Sequence, residues 1–204
     1  MSNSLTEKYR PTCLDECILP KRIKKPLENL VKRGQLGHLI LYGKPGNGKT
    51  STAMALIKEL KSENFIEING SLDNSVDYLK ESLPGWGAGI YDGRRIIFID
   101  EADNLTENAQ KLLKVPLEKY AGLFDVIFCL NDFDKIDNAI KSRCNSFCFD
   151  IKKEEEDEIK KLVIKRFLSI SKKEKKSVKK SDIEEIYSEN NGDIRAMLKK
   201  LELF

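Results

Sequence analysis

Residues Gly43-Lys44-Pro45-Gly46-Asn47-Gly48-Lys49-Thr50 follow the pattern G-x-x-x-x-G-K-[ST], and they join two stretches of different periodicity. Before them, His38-Leu39-Ile40-Leu41-Tyr42 is a short apolar run that predicts a buried strand. After them, Thr50 to Lys61 carries Ala53, Ile57 and Leu60 at helical spacing and predicts a helix. A strand that turns through a glycine-rich loop straight into a helix leaves few folds open. Glycine tolerates the positive φ that lets successive N–H groups point at one anion. The dipole of the following helix adds positive potential at the same place. The loop therefore suits the phosphates of a nucleotide, with Gly43, Pro45, Gly46, Asn47, Gly48 and Ser51 forming the cradle. Lys49 adds a point charge toward the β- and γ-phosphates, and Thr50 adds a hydroxyl toward an accompanying Mg²⁺.

Strand-like and helix-like runs alternate as far as residue 150. Phe65–Asn69, Arg95–Asp100, Asp125–Leu130 and Ser146–Phe149 predict further strands, with helices expected at Ser75–Leu83 and Thr106–Tyr120. Pro116 lies inside the second of these and is expected to kink it. Apolar strands separated by helices predict a mostly parallel sheet of five strands, covered on both faces. Beyond Asp150 the pattern turns purely helical. Glu154–Ile170 carries Ile159, Leu162, Val163, Phe167 and Ile170 at helical spacing. Ser181 and Glu184 have the spacing of a capping box, and Ile194–Leu203 predicts a third helix. The expected organisation is an α/β domain over 1–150 followed by a small three-helix lid over 151–204.

Composition narrows the setting. Of the 204 residues 34% are charged and 40% apolar, the balance of a soluble globular chain with room for one or two domains. No apolar run approaches the ~20 residues of a membrane span, and no secretion-type leader is visible. The expected compartment is nucleus, nucleoid or cytoplasm, where structural disulfides are rare. Cys13/Cys17 and Cys144/Cys148 each have a C-x₃-C spacing that overlaps the zinc-ligand range. Small buried hydrophobes are the commoner fate of such cysteines. The net charge of +3 comes entirely from beyond Ile151, largely from the lysines of residues 172–180. That run reads as a solvated loop, or alternatively as a patch that contacts nucleic-acid phosphates.

Asp100-Glu101 ends an apolar strand fifty residues after Thr50. Ligands of parallel sheets lie at the carboxyl ends of the strands. There Asp100 is placed to reach Mg²⁺, and Glu101 to polarise a water for in-line attack on a γ-phosphate. Asn131 ends the next strand, where it can hold that water or simply close the strand as a turn residue. Arg143 and Arg195 have no distinctive local pattern. The letters Asp-Glu-Ala-Asp at 100–103 are shared with helicases that need a second nucleotide-fold domain, for which 204 residues leave no room.

Taken together, five runs are similar to the small subunit of replication factor C and the corresponding ATPase of phage clamp loaders. They are Leu5-Thr6-Glu7-Lys8-Tyr9-Arg10-Pro11, His38 to Gly43, Asp100 to Gln110, Ser142-Arg143-Cys144 and Gly192-Asp193-Ile194-Arg195. The resemblance covers essentially the whole chain. It implies an AAA+ P-loop core and an ATPase that works in a ring of similar subunits with Mg²⁺. Lys49, Thr50, Asp100, Glu101 and Asn131 would serve the subunit's own ATP, with Arg195 reaching it from the lid. Tyr9, Arg10 and Pro11 would lie against the adenine. Arg143 would project into a neighbour's site as an arginine finger, a role worth ~10³–10⁵ in rate.

The implied partners are other clamp-loader subunits, a sliding clamp and primer–template DNA, with no membrane. Lys80 and Lys114 occupy the places of family DNA contacts, although exposed helix lysines would look the same. This chain departs from the family at Lys114-Val115, where two arginines are usual, and at the adjacent Pro116. The family's collar domain, which bonds subunits into a pentamer, would follow Phe204 and is absent from these residues. Two other functions fit the sequence: an ATP-binding regulatory or structural subunit with little turnover, and an AAA+ remodeller in DNA repair or phage defence.

Overall fold

The computed structural model describes residues 4–62, 64–72, 79 and 95–204. Five parallel strands form one sheet: β1 (Leu39–Tyr42), β2 (Asn64–Asn69), β3 (Arg95–Asp100), β4 (Phe124–Leu130) and β5 (Asn145–Cys148). Their order is β2-β3-β4-β1-β5, so β4 lies between β1 and β3. Helices α1 (Leu5–Lys8) and α2 (Lys21–Lys32) precede the sheet, and α3 (Lys49–Glu59) follows the phosphate loop. Next come α4 (Glu107–Lys119) and the single turn α5 (Asn138–Lys141). The chain closes with α6 (Glu156–Lys173), α7 (Lys180–Glu189) and α8 (Ile194–Glu202).

The near-continuous apolar runs are explained by burial on both faces. All seven residues of β4 are buried, and successive residues serve opposite layers. Leu39, Leu41, Phe98, Ile127 and Cys129 pack with Ala53, Leu56 and Ile57 of α3 and Ile23 and Leu27 of α2. Ile40, Ile97, Ile99, Val126 and Phe128 pack the other way, against Leu113 and Leu117 of α4. This is the period-two alternation of a pleated strand, filled on each side by a helix stripe. Among the described residues β2 is an edge strand, and its Phe65 and Ile66 stay 40% and 37% exposed.

Several sequence expectations need correction. Leu162 was expected on the buried stripe of α6 but is 38% exposed, while Ile164 is buried instead. The stripe of α6 faces α7 and α8 through Ile159, Val163, Phe167 and Ile170, and Leu162 lies off it. The opening of α7 is not capped by Ser181 with Glu184. Asp182 accepts from the Lys179 N–H at 2.9 Å, because the helix starts at Lys180 and puts Asp182 at the third helical position. Pro116 does lie inside α4, where the sequence places it, and its carbonyl accepts from the Tyr120 N–H at 3.1 Å. The helix expected at Ser75–Leu83 lies outside the described residues except for Leu79, which is buried. Among the described residues, no helix is long and apolar enough to cross a membrane.

The purely helical stretch does not pack alone. Leu5 is buried in the cluster formed by α6, α7 and α8, and Tyr9 and Ile18 lean on it. The Leu5 N–H donates to Glu202, and the Tyr9 hydroxyl donates to Glu174 at the end of α6. Lys8 pairs with the same Glu174 oxygen at 2.7 Å. The segment entering the sheet domain is thus clasped to the last three helices.

Burial, together with the Glu174 carboxylate, pushes the Tyr9 phenol up to about 12. An unfolded tyrosine titrates near 10. The unfolded chain therefore gives up this proton first, and the clasp's contribution is present below about pH 10 and lost as pH rises toward about 12. Tyr9→Phe should cost on the order of 1 kcal/mol at pH 8 and should flatten the stability loss between these limits. Urea midpoints from pH 8 to 12 check this; parallel curves for the two proteins would show that Tyr9 does not carry the effect.

Candidate nucleotide site

The strand order decides what the phosphate loop meets. Because β4 separates β1 from β3, the loop after Tyr42, Asn131 after Leu130, and Asp100 at the end of β3 emerge side by side. The side chains link up across these three strand ends. The Lys49 ammonium donates to the carbonyls of Gly43 and Lys44 at 2.7 and 2.9 Å and to Asn131 Oδ1 at 2.9 Å. The Thr50 hydroxyl meets the two Asp100 carboxylate oxygens at 3.0 and 3.3 Å. Asp132 accepts from the Asp134 N–H, so the strand-ending turn uses Asp132 and leaves Asn131 to the lysine.

Burial dominates the electrostatics here. Lys49 is only 7% exposed, and desolvation pulls its ammonium below the usual lysine range, opposed mainly by Cys129 and Asp100. Desolvation likewise raises the Asp100 carboxyl, against the Thr50 hydroxyl and the Glu101 N–H that favour its ionised form. Opposite charges held together in a dry site pull on a divalent cation and a polyphosphate more strongly than they would in water. A hydroxyl and one carboxylate are hard oxygen donors. Mg²⁺ typically takes only one or two carboxylates and completes its shell with phosphates and waters, so Thr50 and Asp100 fit it.

One cavity joins most of the expected nucleotide contacts. Its wall includes Tyr9, Arg10 and Pro11 from the N-terminal segment and Gly46, Gly48, Lys49, Thr50 and Ser51 from the loop and α3. Arg195 at the start of α8 also lines it. Asp193 caps α8, accepting from the N–H groups of Arg195 and Ala196 at 2.8 and 3.1 Å. A Cβ on Gly46 (φ +84°) would come within 2.7 Å of the Asp193 carboxylate, so only glycine lets the loop and α8 approach this closely. The Asn47 side chain turns away from the cavity and donates to the Phe149 carbonyl at 3.2 Å.

Other expected residues lie apart. Glu101 adopts a left-handed backbone (φ 51°), and its carboxylate accepts from the Ser71 hydroxyl, which in turn accepts from Asn104 Nδ2 at 2.8 Å. Arg143 is outside the cavity wall. Its guanidinium donates to the Ala139 carbonyl at 2.7 Å and to Glu118 Oε2 at 2.6 Å. Lys114 is half-buried and pairs with Asp137 at 2.7 Å, so its charge is already matched within the chain. That pairing, with the Ala139 N–H, holds the Asp137 carboxyl below its ordinary range. Lys80 lies outside the described residues. The five cysteines are free, and burial pushes the Cys17 and Cys144 thiols up to about 12. Among the described residues, no group of three or more His, Cys, Asp or Glu side chains could hold a metal ion.

Sequence reasoning missed Ser71, Asp150 and Asp193. Each contacts a motif residue far away in the chain. The rule that sites form at the carboxyl ends of parallel strands would have flagged Ser71 after β2 and Asp150 after β5.

Residues 39–150 match the family described as "ATPase family associated with various cellular activities (AAA)". The chain is similar to the replication factor C small subunit of Methanococcus vannielii, 34% identical over 99% of this chain and 64% of the relative. The corresponding subunit of Sulfolobus acidocaldarius is 34% identical over 93% of this chain and 58% of its own length. A putative replication factor C small subunit of Acanthamoeba polyphaga mimivirus is 32% identical over 97% of this chain and 57% of that protein. The chain thus spans less than two thirds of these relatives' length. Among solved structures, the Thermotoga maritima RuvB Holliday junction branch migration motor superposes with a TM-score of 0.74 at 22% identity, covering 95% of this chain and 64% of that one. A second form of the same RuvB reaches 0.78 at 20% identity with the same coverage. These structures share the fold, a five-stranded α/β P-loop core with helices behind it. Strand order, loop geometry and a family match over more than half the residues agree: the chain belongs to the AAA family of ATPases.

Proposed function

We propose that this chain is the ATP-hydrolysing module of an intracellular clamp loader, with Mg²⁺·ATP held by the cavity and turned over at a contact between subunits. The observation that carries the reading is a division of parts. Lys49, Asn131, Thr50 and Asp100 are linked at three adjacent strand ends, while Arg143, between α5 and β5, is held elsewhere by Glu118 of α4. Similarity to replication factor C small subunits over nearly the whole chain supports the clamp-loading role. Residues 151–204 act as the lid in this reading, bringing Arg195 over the loop.

Lys49 and the loop N–H groups orient the phosphates, and Tyr9, Arg10 and Pro11 bound the base end of the cavity. Thr50 and Asp100 hold Mg²⁺, which offsets charge on the β- and γ-phosphates. Glu101 accepts a proton from water as its oxygen bonds to the γ-phosphorus and the bond to the β,γ-bridging oxygen breaks, releasing ADP and phosphate. Asn131 aligns that water. Arg143 of one subunit stabilises the charge that develops in its neighbour's site. Other clamp-loader subunits, the sliding clamp and primer–template DNA are the partners of this cycle.

Glu101→Gln should leave Mg²⁺·ATP affinity within about threefold while lowering turnover by ~10²–10⁴, the usual worth of a general base. Equilibrium binding and phosphate release measured on one preparation test this, and equal turnover in both proteins would remove Glu101 from the mechanism.

Mixing separates the roles of Arg143 and Lys49. Arg143→Ala and Lys49→Ala proteins should each be inactive alone, yet regain part of the activity together with clamp and primer–template. One subunit then supplies the finger and the other the nucleotide site. Full activity of Arg143→Ala by itself would sink the shared-site reading. Nucleotide binding without stimulated turnover in any combination would favour the regulatory-subunit alternative.

A further inference from the structure

The phosphate loop needs an external brace, because a glycine-rich segment pays a larger entropic cost than others to hold its N–H groups convergent. β5 lies beside β1 in parallel register, with Cys148 opposite Tyr42, so the chain beyond β5 leaves the sheet alongside the loop. The Phe149 N–H donates to the Tyr42 carbonyl at 2.7 Å and extends that pairing by one step. Asp150 comes next. Its Oδ1 accepts from the Lys44 N–H at 2.7 Å and from Asn47 Nδ2 at 3.3 Å, so one carboxylate oxygen holds the loop at two points. The approach is close. A Cβ on Gly43 (φ +137°) would lie 2.9 Å from that same oxygen and 3.0 Å from the Asp150 nitrogen.

Asp150 is itself anchored. Arg22 of α2 donates through Nη1 to the Cys148 carbonyl and through Nη2 to the Asp150 carbonyl, each at 2.5 Å. Its Nε reaches Glu155 Oε1 at 2.8 Å, just before α6. One guanidinium therefore spans the exit from β5 and the entry to α6, and fixes the backbone from which the Asp150 carboxylate reaches the loop. A carboxylate here has an electrostatic cost, since it places negative charge close to where phosphates bind. Its hydrogen bonds to the loop give the compensating reason for its position.

We infer that Asp150 is a positioning residue for the phosphate loop, holding Lys44 and Asn47 so that the loop is formed before nucleotide arrives. The inference rests on the reading of Gly43–Thr50 as the triphosphate site. Two variants separate the hydrogen bond from the charge. Asp150→Ala removes both, whereas Asp150→Asn keeps an acceptor oxygen toward the Lys44 N–H and removes only the charge.

The test is the dissociation constant of a fluorescent N-methylanthraniloyl-ATP with Mg²⁺, for the unaltered chain, both Asp150 variants and Asn47→Ala, with unfolding midpoints measured without nucleotide. Asp150→Ala should weaken binding by about tenfold, the scale of a lost charge-assisted hydrogen bond. Asp150→Asn should bind within about threefold of the unaltered chain, or more tightly at low salt. Asn47→Ala, which removes one of the two loop contacts and leaves Asp150 intact, should fall between, and it carries the test if Asp150→Ala does not fold. Unchanged affinity in Asp150→Ala would overturn the inference while leaving the nucleotide site in place. So would an Asn variant as weak as the Ala variant, or an Asn47→Ala protein with unaltered affinity. Absence of nucleotide binding by the unaltered chain would overturn this inference and the proposed function together.

Discussion

The buried ammonium of Lys49 is the group on which the rest of the arrangement depends. Taking an ammonium out of water is costly unless oxygens replace its hydration, and the downward pull on its titration reflects that cost. Three oxygens meet it, from Gly43, Lys44 and Asn131. Two of them belong to the loop that precedes the lysine, so the loop must curl back toward its own helix. The third directly follows β4, so β4 must lie next to β1 and end level with the loop. The strand order β3-β4-β1 is thus the geometry in which one lysine can be satisfied while Asp100 stays within reach of Thr50.

The same economy governs the loop's surroundings. Asp150 meets it from the β5 side and Asp193 from α8, and Gly43 and Gly46 stand where a Cβ would run into these carboxylates. Asp193 also caps α8 and thereby fixes the start of the helix that carries Arg195. Because Leu5 and Tyr9 are packed into the helical cluster, a movement of that cluster would carry the N-terminal wall of the cavity with it. On the proposed reading, the base end and the phosphate end are therefore not independent surfaces.

How much of this was legible follows from the range of each interaction. β1, β3 and β4 were readable because burial on both faces forces uninterrupted apolar runs, and the loop was readable because its constraints fall within eight consecutive residues. β2 was found by its letters, although its place at the edge, with Phe65 and Ile66 open, was not encoded locally. At the start of α7, Ser181 and Glu184 had the right spacing, but the helix begins two residues earlier and Asp182 takes the cap. Contacts such as Ser71 with Glu101, Glu118 with Arg143 and Asp150 with Lys44 join residues 30, 25 and 106 positions apart. No periodicity reports those, because they exist only once the strand order is set.

Charge accounting gives a physical reason for the division of parts. On the proposed reading, Lys49 and Arg195 face the triphosphate of one subunit and Asp100 and Glu101 oppose them, while Arg10 and Arg166, which line the same cavity, are matched by Glu7 and Glu16. Even with a divalent cation held by Thr50 and Asp100, a fully ionised triphosphate leaves the site net negative, and the γ-phosphoryl group becomes harder to stabilise as it departs. A further cation is needed there, and Arg143 is engaged on the outer side of α4 with Glu118, whose side chain is 68% exposed. An exposed ion pair of this kind is worth little in water, of the order of 0–1 kcal/mol. The pair with Glu118 can therefore keep the guanidinium extended along the surface without holding it against a stronger anion. On the proposed reading, the triphosphate of an adjoining subunit is such an anion, and the weakness of the Glu118 contact lets Arg143 exchange partners when two subunits meet.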